Sequence, residues 1–294
     1  MTDWSRIEYD IRKATGSAFR ISEHLPVAGG CIHRALSLTG PAGRYFIKLN
    51  DTSWADAFAA EAEGLDAIAA SRSIRTPAVV CCGSDGRSSW LVLEWLNLGG
   101  QQSPERLGLG LGLGLALAAM HEVCGSGYGW HRDNMIGGLP QRNAALGSWA
   151  DFWCHQRLGV QLEFAAARGL TSVVAHRDAI FTRAQELLIH HEPAPSLLHG
   201  DLWSGNAAYD AAGTPVVFDP AVYYGDAEVD IAMTALFGGF PPSFYAAYRR
   251  VHPPTPGHAV RRDLYNLYHV LNHANLFGGG YVTQAETMIR DLLY

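Results

Sequence analysis

Asp201, Asn206 and Asp219 stand in the run from Ser196 to Asp230, SLLHGDLWSGNAAYDAAGTPVVFDPAVYYGDAEVD, where bare carboxylates and an amide sit on apolar scaffolding. Leu197 and Leu198 lead into a His199-Gly200-Asp201-Leu202 turn, and Asn206 follows the aspartate by five residues. That spacing suits phosphoryl transfer from a nucleotide: the Asp accepts the proton of an attacking hydroxyl and the Asn holds magnesium. Turn chemistry at Asp210-Ala211-Ala212-Gly213 and an apolar strand from Pro215 to Phe218 predict a hairpin that ends on Asp219. The hairpin returns Asp219 to the other two residues, as a hard oxygen ligand bridging metal and phosphates. The plainer alternative is a capped turn at Asp201 and an Asx-turn at Asn206.

A phosphate-binding cation is the next requirement. Of 22 basic residues only Lys13 and Lys48 are lysines, and Lys48 lies inside the apolar strand Tyr45-Phe46-Ile47-Lys48-Leu49. A compact ammonium reaches phosphate oxygens as a point charge. A strand-edge lysine reaching to water is the competing reading. Just upstream, Ala28-Gly29-Gly30 joins two strand-like runs, Phe19 to Val27 and Cys31 to Thr39. Glycines in such a turn let backbone amides approach an anion closely. Cys31 at that loop suggests a redox switch, against the plainer reading of a small apolar residue.

The elements that would position these groups follow from periodicity. Asp3 to Thr15 reads as an amphipathic helix stopped by Gly16, and Ala55 to Ala70 as a second helix carrying Glu61 and Glu63, either of which could hold Lys48. Strands at Ala78 to Cys82 and Trp90 to Glu94 complete a small sheet, and a polar, glycine-containing stretch from Asn97 to Gln102 marks a boundary between lobes. Leu107 to Leu115 alternates Leu and Gly, which favours a strand, whereas Ala116 to His121 is strongly helical. Helices are predicted at Trp149 to Ala167 and Ala175 to His191, the latter ending in surface histidines, and again beyond Asp230 with breaks at Pro241-Pro242 and Pro253 to Pro256. In YNLYHVLNHAN, Tyr265 to Asn275, a polar stripe including His269 and His273 either lines a sugar-binding cleft or is satisfied inside the lobe.

Composition bounds the partners. A chain of 294 residues, 48% hydrophobic and 17% charged, is globular, and net charge −6 argues against a general nucleic-acid binder. No apolar run of 18 residues or signal pattern occurs, and five cysteines lack CxxC or metal-ligand spacing. The expectation is a cytoplasmic protein with reduced thiols and no membrane partner.

The segments LLHGDLWSGN, FDPAVYYGDAEVDIAM and FGGFPPSFYAAY together resemble the fructosamine (ketosamine) kinase family, within the wider group of aminoglycoside-phosphotransferase and choline-kinase-like enzymes. Trp203-Ser204-Gly205 between His-Gly-Asp and Asn is the distinguishing part, and the Tyr128 to Gln141 region also follows the family's pattern. The resemblance implies an α+β, protein-kinase-like bilobal fold. Residues 1–96 would form a nucleotide-binding lobe with an antiparallel five-stranded sheet, and residues 97–294 a mainly helical catalytic and substrate-binding lobe. It selects Glu61 over Glu63 as the partner of Lys48, makes the Gly-Leu repeat a helix, and places Glu94-Trp95-Leu96 at the hinge whose backbone reads adenine. It implies ATP and Mg2+ as cofactors, Asp201 as catalytic base, Asn206 and Asp219 as metal ligands, and Lys48, Glu61, Gly29, Gly30, Glu94 and Leu96 around the nucleotide. The acceptor would be a ketosamine or glycated protein phosphorylated on its 3-hydroxyl, touched by Trp203 and His273, in a monomer or weak homodimer. A kinase for another small alcohol, of aminoglycoside, choline or homoserine type, and a pseudokinase binding module stay open.

Overall fold

The computed structural model describes residues 2–28, 32–99 and 106–294. Gly29 and Gly30, expected over the phosphates, and Cys31, expected as a redox switch at that loop, lie outside the described residues, as do Gly100, Gln101 and Gln102 of the polar stretch read as a boundary.

Helix α1 (Trp4–Thr15) begins where the Asp3 side chain accepts from the Arg6 amide, 3.1 Å, and ends at Gly16 with φ 68°. A five-stranded antiparallel sheet follows, with β1 (Glu23–Pro26), β2 (Arg34–Gly40), β3 (Gly43–Asp51), β4 (Val79–Ser84) and β5 (Ser88–Glu94) in the order β1-β2-β3-β5-β4. The first strand is shorter than expected. Glu8 of α1 takes the Ile21 amide at 2.7 Å, and Phe19 turns into the core instead of pairing.

Side chains on a strand alternate between faces, and here that alternation decides where the cation goes. Ile47, Leu49, Trp90 and Val92 pack with Ile7 and Ile11 of α1, while Leu91 and Leu93 pack with Phe58 and Leu65 of helix α2 (Ala55–Ala70). Lys48 lies between Ile47 and Leu49 and opposite Leu91, so it belongs to the α2 face.

The remaining chain is mainly helical. It contains α3 (Arg106–His121), the hairpin β6 (Asn134–Ile136) and β7 (Leu139–Gln141), α4 (Trp149–Phe152), α5 (Val160–Ala167), α6 (Thr171–Val174) and α7 (Arg177–Leu188). Then come β8 (Ser196–Leu198), β9 (Ala207–Tyr209), β10 (Pro215–Val217), β11 (Tyr223–Gly225), α8 (Glu228–Leu236), α9 (Pro242–Val251), α10 (His258–Phe277) and α11 (Gly280–Leu293). The Gly-Leu repeat is helical throughout α3. Gly110 and Gly114 face α9: a Cβ on Gly114 would lie 2.4 Å from the Phe244 carbonyl oxygen, so the two helices touch where only glycine fits. Leu113 and Leu117 are buried one turn apart on that helix, whereas Leu111 and Leu115 remain exposed.

Two local expectations are corrected. The helix from Trp149 to Ala167 is interrupted by a π-helical stretch, Trp153–Gly159, which seats Arg157 inside the core with its guanidinium 3.8 Å from the Tyr223 ring centroid. His191 is not a free surface residue: its Nε2 lies 2.7 Å from Asp226 Oδ2 and its side chain is mostly covered. No described helix is long and apolar enough to cross a membrane.

Candidate active site

A cavity of about 630 Å³ is lined by residues from the sheet, α2, the β8–β11 segment and α10. Lys48 and Glu61 line it, as do Asp201, Trp203, Asn206 and Asp219, Glu94 and Leu96 of the segment expected to be the hinge, and His273. These residues, all nominated by the sequence, thus meet in one place, whereas Glu63 and His269 do not line it. This volume is in the range of small-molecule sites.

The Lys48 ammonium is buried and donates to Glu61 Oε1 and Asp219 Oδ1, each at 2.7 Å. Burial disfavours its charge, yet the carboxylates of Asp219 and Glu61 outweigh that cost and hold its pKa above the ordinary lysine value. Glu63 points elsewhere, pairing with Arg132 at 2.7 Å and His131 at 3.0 Å, so it is an ion-pair partner and not a bare solvated charge.

The geometry of the Asp201 loop comes from a turn that needs glycine. Gly200 has φ 83°, and a Cβ there would sit 2.1 Å from the Ala221 carbonyl oxygen. Asn206 donates its Nδ2 to the Asp201 carbonyl at 2.8 Å and to Asp201 Oδ2 at 3.1 Å, which commits its amino group and turns its carbonyl oxygen the other way. Asp219 adopts φ 57°, a left-handed conformation that costs a non-glycine residue about 1–3 kcal/mol. Its carboxylate is 42% exposed, so the group that holds Lys48 also faces the cavity. Burial, with the negative charge of Asp219 adding to it, pushes the Asp201 carboxyl up to about 7.

Behind the loop lies a second carboxylate with the opposite treatment. Asp230 accepts the backbone N–H of His199 at 2.7 Å and of Gly200 at 2.9 Å, and His121 Nε2 at 3.1 Å; Tyr248 shares a 2.7 Å hydrogen bond with His121 Nδ1. Burial alone would raise its pKa, but the bond and charge of His121 and the amides hold it below the usual carboxylate range.

The hinge is tied to the β9–β10 hairpin by Arg75, which pairs with Glu94 at 2.7 Å and with Asp210. The Gly99 amide adds a bond to the Tyr209 carbonyl, 2.8 Å. At the hinge itself the Glu94 amide donates to the Ala78 carbonyl at 2.8 Å and the Leu96 carbonyl accepts from the Leu98 amide at 3.1 Å.

The family model for fructosamine kinase matches residues 3–294. The chain belongs to the fructosamine kinase family. A probable ketoamine kinase of Synechocystis sp. is 46% identical over 293 residues, covering 99% of this chain and 97% of the relative. The chloroplastic protein-ribulosamine 3-kinase of Arabidopsis thaliana is 39% identical, covering 95% of this chain and 85% of that one. Among solved structures, a provisionally named fructosamine-3-kinase from Haemophilus somnus superposes with a TM-score of 0.92 at 29% identity, covering 99% of this chain and 98% of that one. An aminoglycoside phosphotransferase solved with ADP and hygromycin B has a TM-score of 0.63 at 18% identity, covering 98% and 97% of the two chains, and shares the fold. The architecture is therefore the protein-kinase-like bilobal one.

Sequence reasoning about this family member missed several supporting residues. His33 lines the cavity, and burial beside Lys48 lowers its pKa to about 4, leaving it neutral. Nothing in its neighbourhood in sequence signals that role. Arg75 was missed because its partners lie far along the chain. Asp230 was visible at the end of the GDAEVD run, but its task of holding two loop amides needs three dimensions. The polar stripe of α10 divides: Asn272 and His273 line the cavity, whereas Asn275 is bonded to Gln161 within the core.

Proposed function

We propose that this kinase transfers the γ-phosphoryl group of ATP to the 3-hydroxyl of a ketosamine, with Asp201 as the general base. The observation that carries the reading is the Lys48 ammonium held between Glu61 and Asp219 in the same cavity as an Asp201 carboxyl raised toward neutrality. A base with a pKa near the working pH is suited to accept a hydroxyl proton. Lys48 meets phosphate oxygens from a fixed position, so its charge does its work without reorganisation. The backbone of Glu94 to Leu96 faces the adenine, and Trp203 touches the acceptor.

The donor set fits magnesium: the Asp219 carboxylate and the Asn206 amide oxygen are hard ligands, and Asn206 has its amino group already committed. Those two residues would hold the ion, which when bound neutralises charge on the transferring phosphate. The relatives named ketoamine kinase and protein-ribulosamine 3-kinase support the acceptor class. Cytoplasmic reduced conditions suit the free thiols of Cys81, Cys82, Cys124 and Cys154.

The test is ADP release with a synthetic ribulosamine and fructosamine pair, beside a panel of aminoglycoside, choline and homoserine acceptors. Turnover of a ketosamine that disappears in Asp201→Asn is the expected result. Turnover confined to another alcohol, or nucleotide binding with no turnover at all, overturns it.

A further inference from the structure

His33 stands immediately before β2 and lines the same cavity as Lys48, Asp201 and Asp219. The register of β2 with β3 sets its face. Ala35 lies opposite Lys48, and alternation puts His33 on the side of the sheet that Lys48 occupies, one step further along and beside Asn50. Its imidazole is held by two rings, Trp54 at 4.6 Å and Phe58 at 4.9 Å, centroid to centroid.

The hydrogen bonds around Asn50 decide which nitrogen of His33 carries the proton. Asn50 Oδ1 accepts the Asp51 amide at 2.9 Å, and Asn50 Nδ2 donates to the Ile32 carbonyl at 3.4 Å, so the side-chain amide can be turned only one way. Its Nδ2 then faces His33 Nδ1 at 3.0 Å, and an amide nitrogen can only donate. Nδ1 therefore accepts, and the neutral ring carries its hydrogen on Nε2. A proton on Nδ1 as well would set donor against donor, in agreement with the low pKa that burial and the Lys48 charge give this ring. Nε2 lies across the ring from Asn50, and among the described residues no hydrogen bond is made to it.

This geometry gives the cavity an uncharged N–H donor close to its ammonium. Lys48 lowers the proton affinity of the ring and Asp219 raises it, so His33 stands within electrostatic reach of the two groups proposed to meet phosphate and magnesium. A second cation here would repel Lys48, whereas a neutral N–H adds a bond to an anionic oxygen without that cost. We infer that His33 is a phosphate-binding residue of this kinase, donating its Nε2 hydrogen to the triphosphate of ATP beside Lys48. This rests on the nucleotide reading above and adds a residue to it.

Two amide substitutions separate the roles of the two nitrogens. In His33→Gln the terminal N–H falls near the place of imidazole Nε2, whereas the shorter side chain of His33→Asn can accept from Asn50 but reaches no further. Titration of the full-length protein with AMP-PNP and with adenosine measures binding, and ADP release with a ribulosamine acceptor measures turnover. His33→Leu and His33→Asn should each weaken AMP-PNP about tenfold or more while leaving adenosine within about twofold, and kcat/KM for ATP should fall in parallel. His33→Gln should recover most of both losses. Failure of His33→Gln to recover AMP-PNP binding overturns the assignment. Rescue by His33→Asn would show the imidazole to be only a brace for Asn50, and equal loss of AMP-PNP and adenosine would show a general disturbance of the lobe; each overturns it too, as does AMP-PNP binding unaltered by all three substitutions. A parent without ATP-dependent turnover would overturn the kinase reading instead, and the binding titrations would still decide whether His33 holds the phosphates.

Discussion

Asp201 and Asp230 are carboxylates of one short segment, both inside the protein, and the fold treats them oppositely. Asp230 receives two backbone amides and an imidazole, and its negative charge is stabilised below the usual range. Asp201 receives an amide donor from Asn206, faces the charge of Asp219, and is pushed up to about 7. The difference is one of partners: Asp230 is saturated and locks the His199-Gly200 turn, while Asp201 is left short of partners, which suits the proton acceptance proposed for it. On the role proposed for Asp201, structure-holding and chemistry are divided between two residues of the same type.

Replacing the chemical member should have the largest effect on rate and a small, opposite effect on stability. Asp201→Asn is expected to lower kcat by a factor of about 10³ while leaving ATP binding within a few-fold, measured by ADP release and by nucleotide titration. Its folded pKa lies above that of an unfolded carboxylate, near 4, so the folded state binds the extra proton between about pH 4 and 7 and loses stability as pH rises across that window. Asp201→Asn removes that loss, and its unliganded Tm at pH 8 should exceed the parent's by a few degrees. A lower Tm at pH 8 would show that Asp201 is a structural residue after all.

Replacing the structural member should do the reverse. Asp230→Ala leaves the His199 and Gly200 amides and His121 without their acceptor, and should destabilise the protein by about 3 kcal/mol or more, read as a fall in the denaturation midpoint. An unchanged midpoint with activity lost would erase the division drawn between the two residues.

A pH profile sharpens the comparison further. The kcat/KM for acceptor should rise about tenfold per pH unit below an apparent pKa near 7 and then level, as Asp201 loses its proton, whereas Asp230, held ionised, contributes no rise in this range. A profile flat from pH 5 to 8 would place the base elsewhere. The smallest effect belongs to a half-buried pair outside both clusters: Glu63→Gln, which loses its ion pair with Arg132, should move stability by about 1 kcal/mol or less and leave kcat unchanged.

Much of the site was legible in the chain. The order Asp201, Leu202, Asn206 and the strand ending on Asp219 are local patterns, and local patterns fix turns, hairpins and which way a strand residue faces. Lys48 stood out because lysine is scarce here, and strand alternation put it on the α2 face. The Gly-Leu repeat was ambiguous on its own, since its alternation argues for a strand; packing against α9, which needs glycine at position 114, makes it a helix. The choice of Glu61 over Glu63 could not come from composition, because both lie on the same helix two residues apart. It is settled by how that helix lies across the sheet.

The sequence alone determined which residues carry charge, which can coordinate a hard cation, and where the chain must turn. These depend on side-chain chemistry and on backbone preferences a few residues long. Only the tertiary structure decided the proton affinities of Asp201 and Asp230, the pairing of Lys48 with two carboxylates distant in the chain, and the neutrality of His33. Burial and Coulomb interaction act through space, and the distances that set them are spans of the folded chain, not intervals along it.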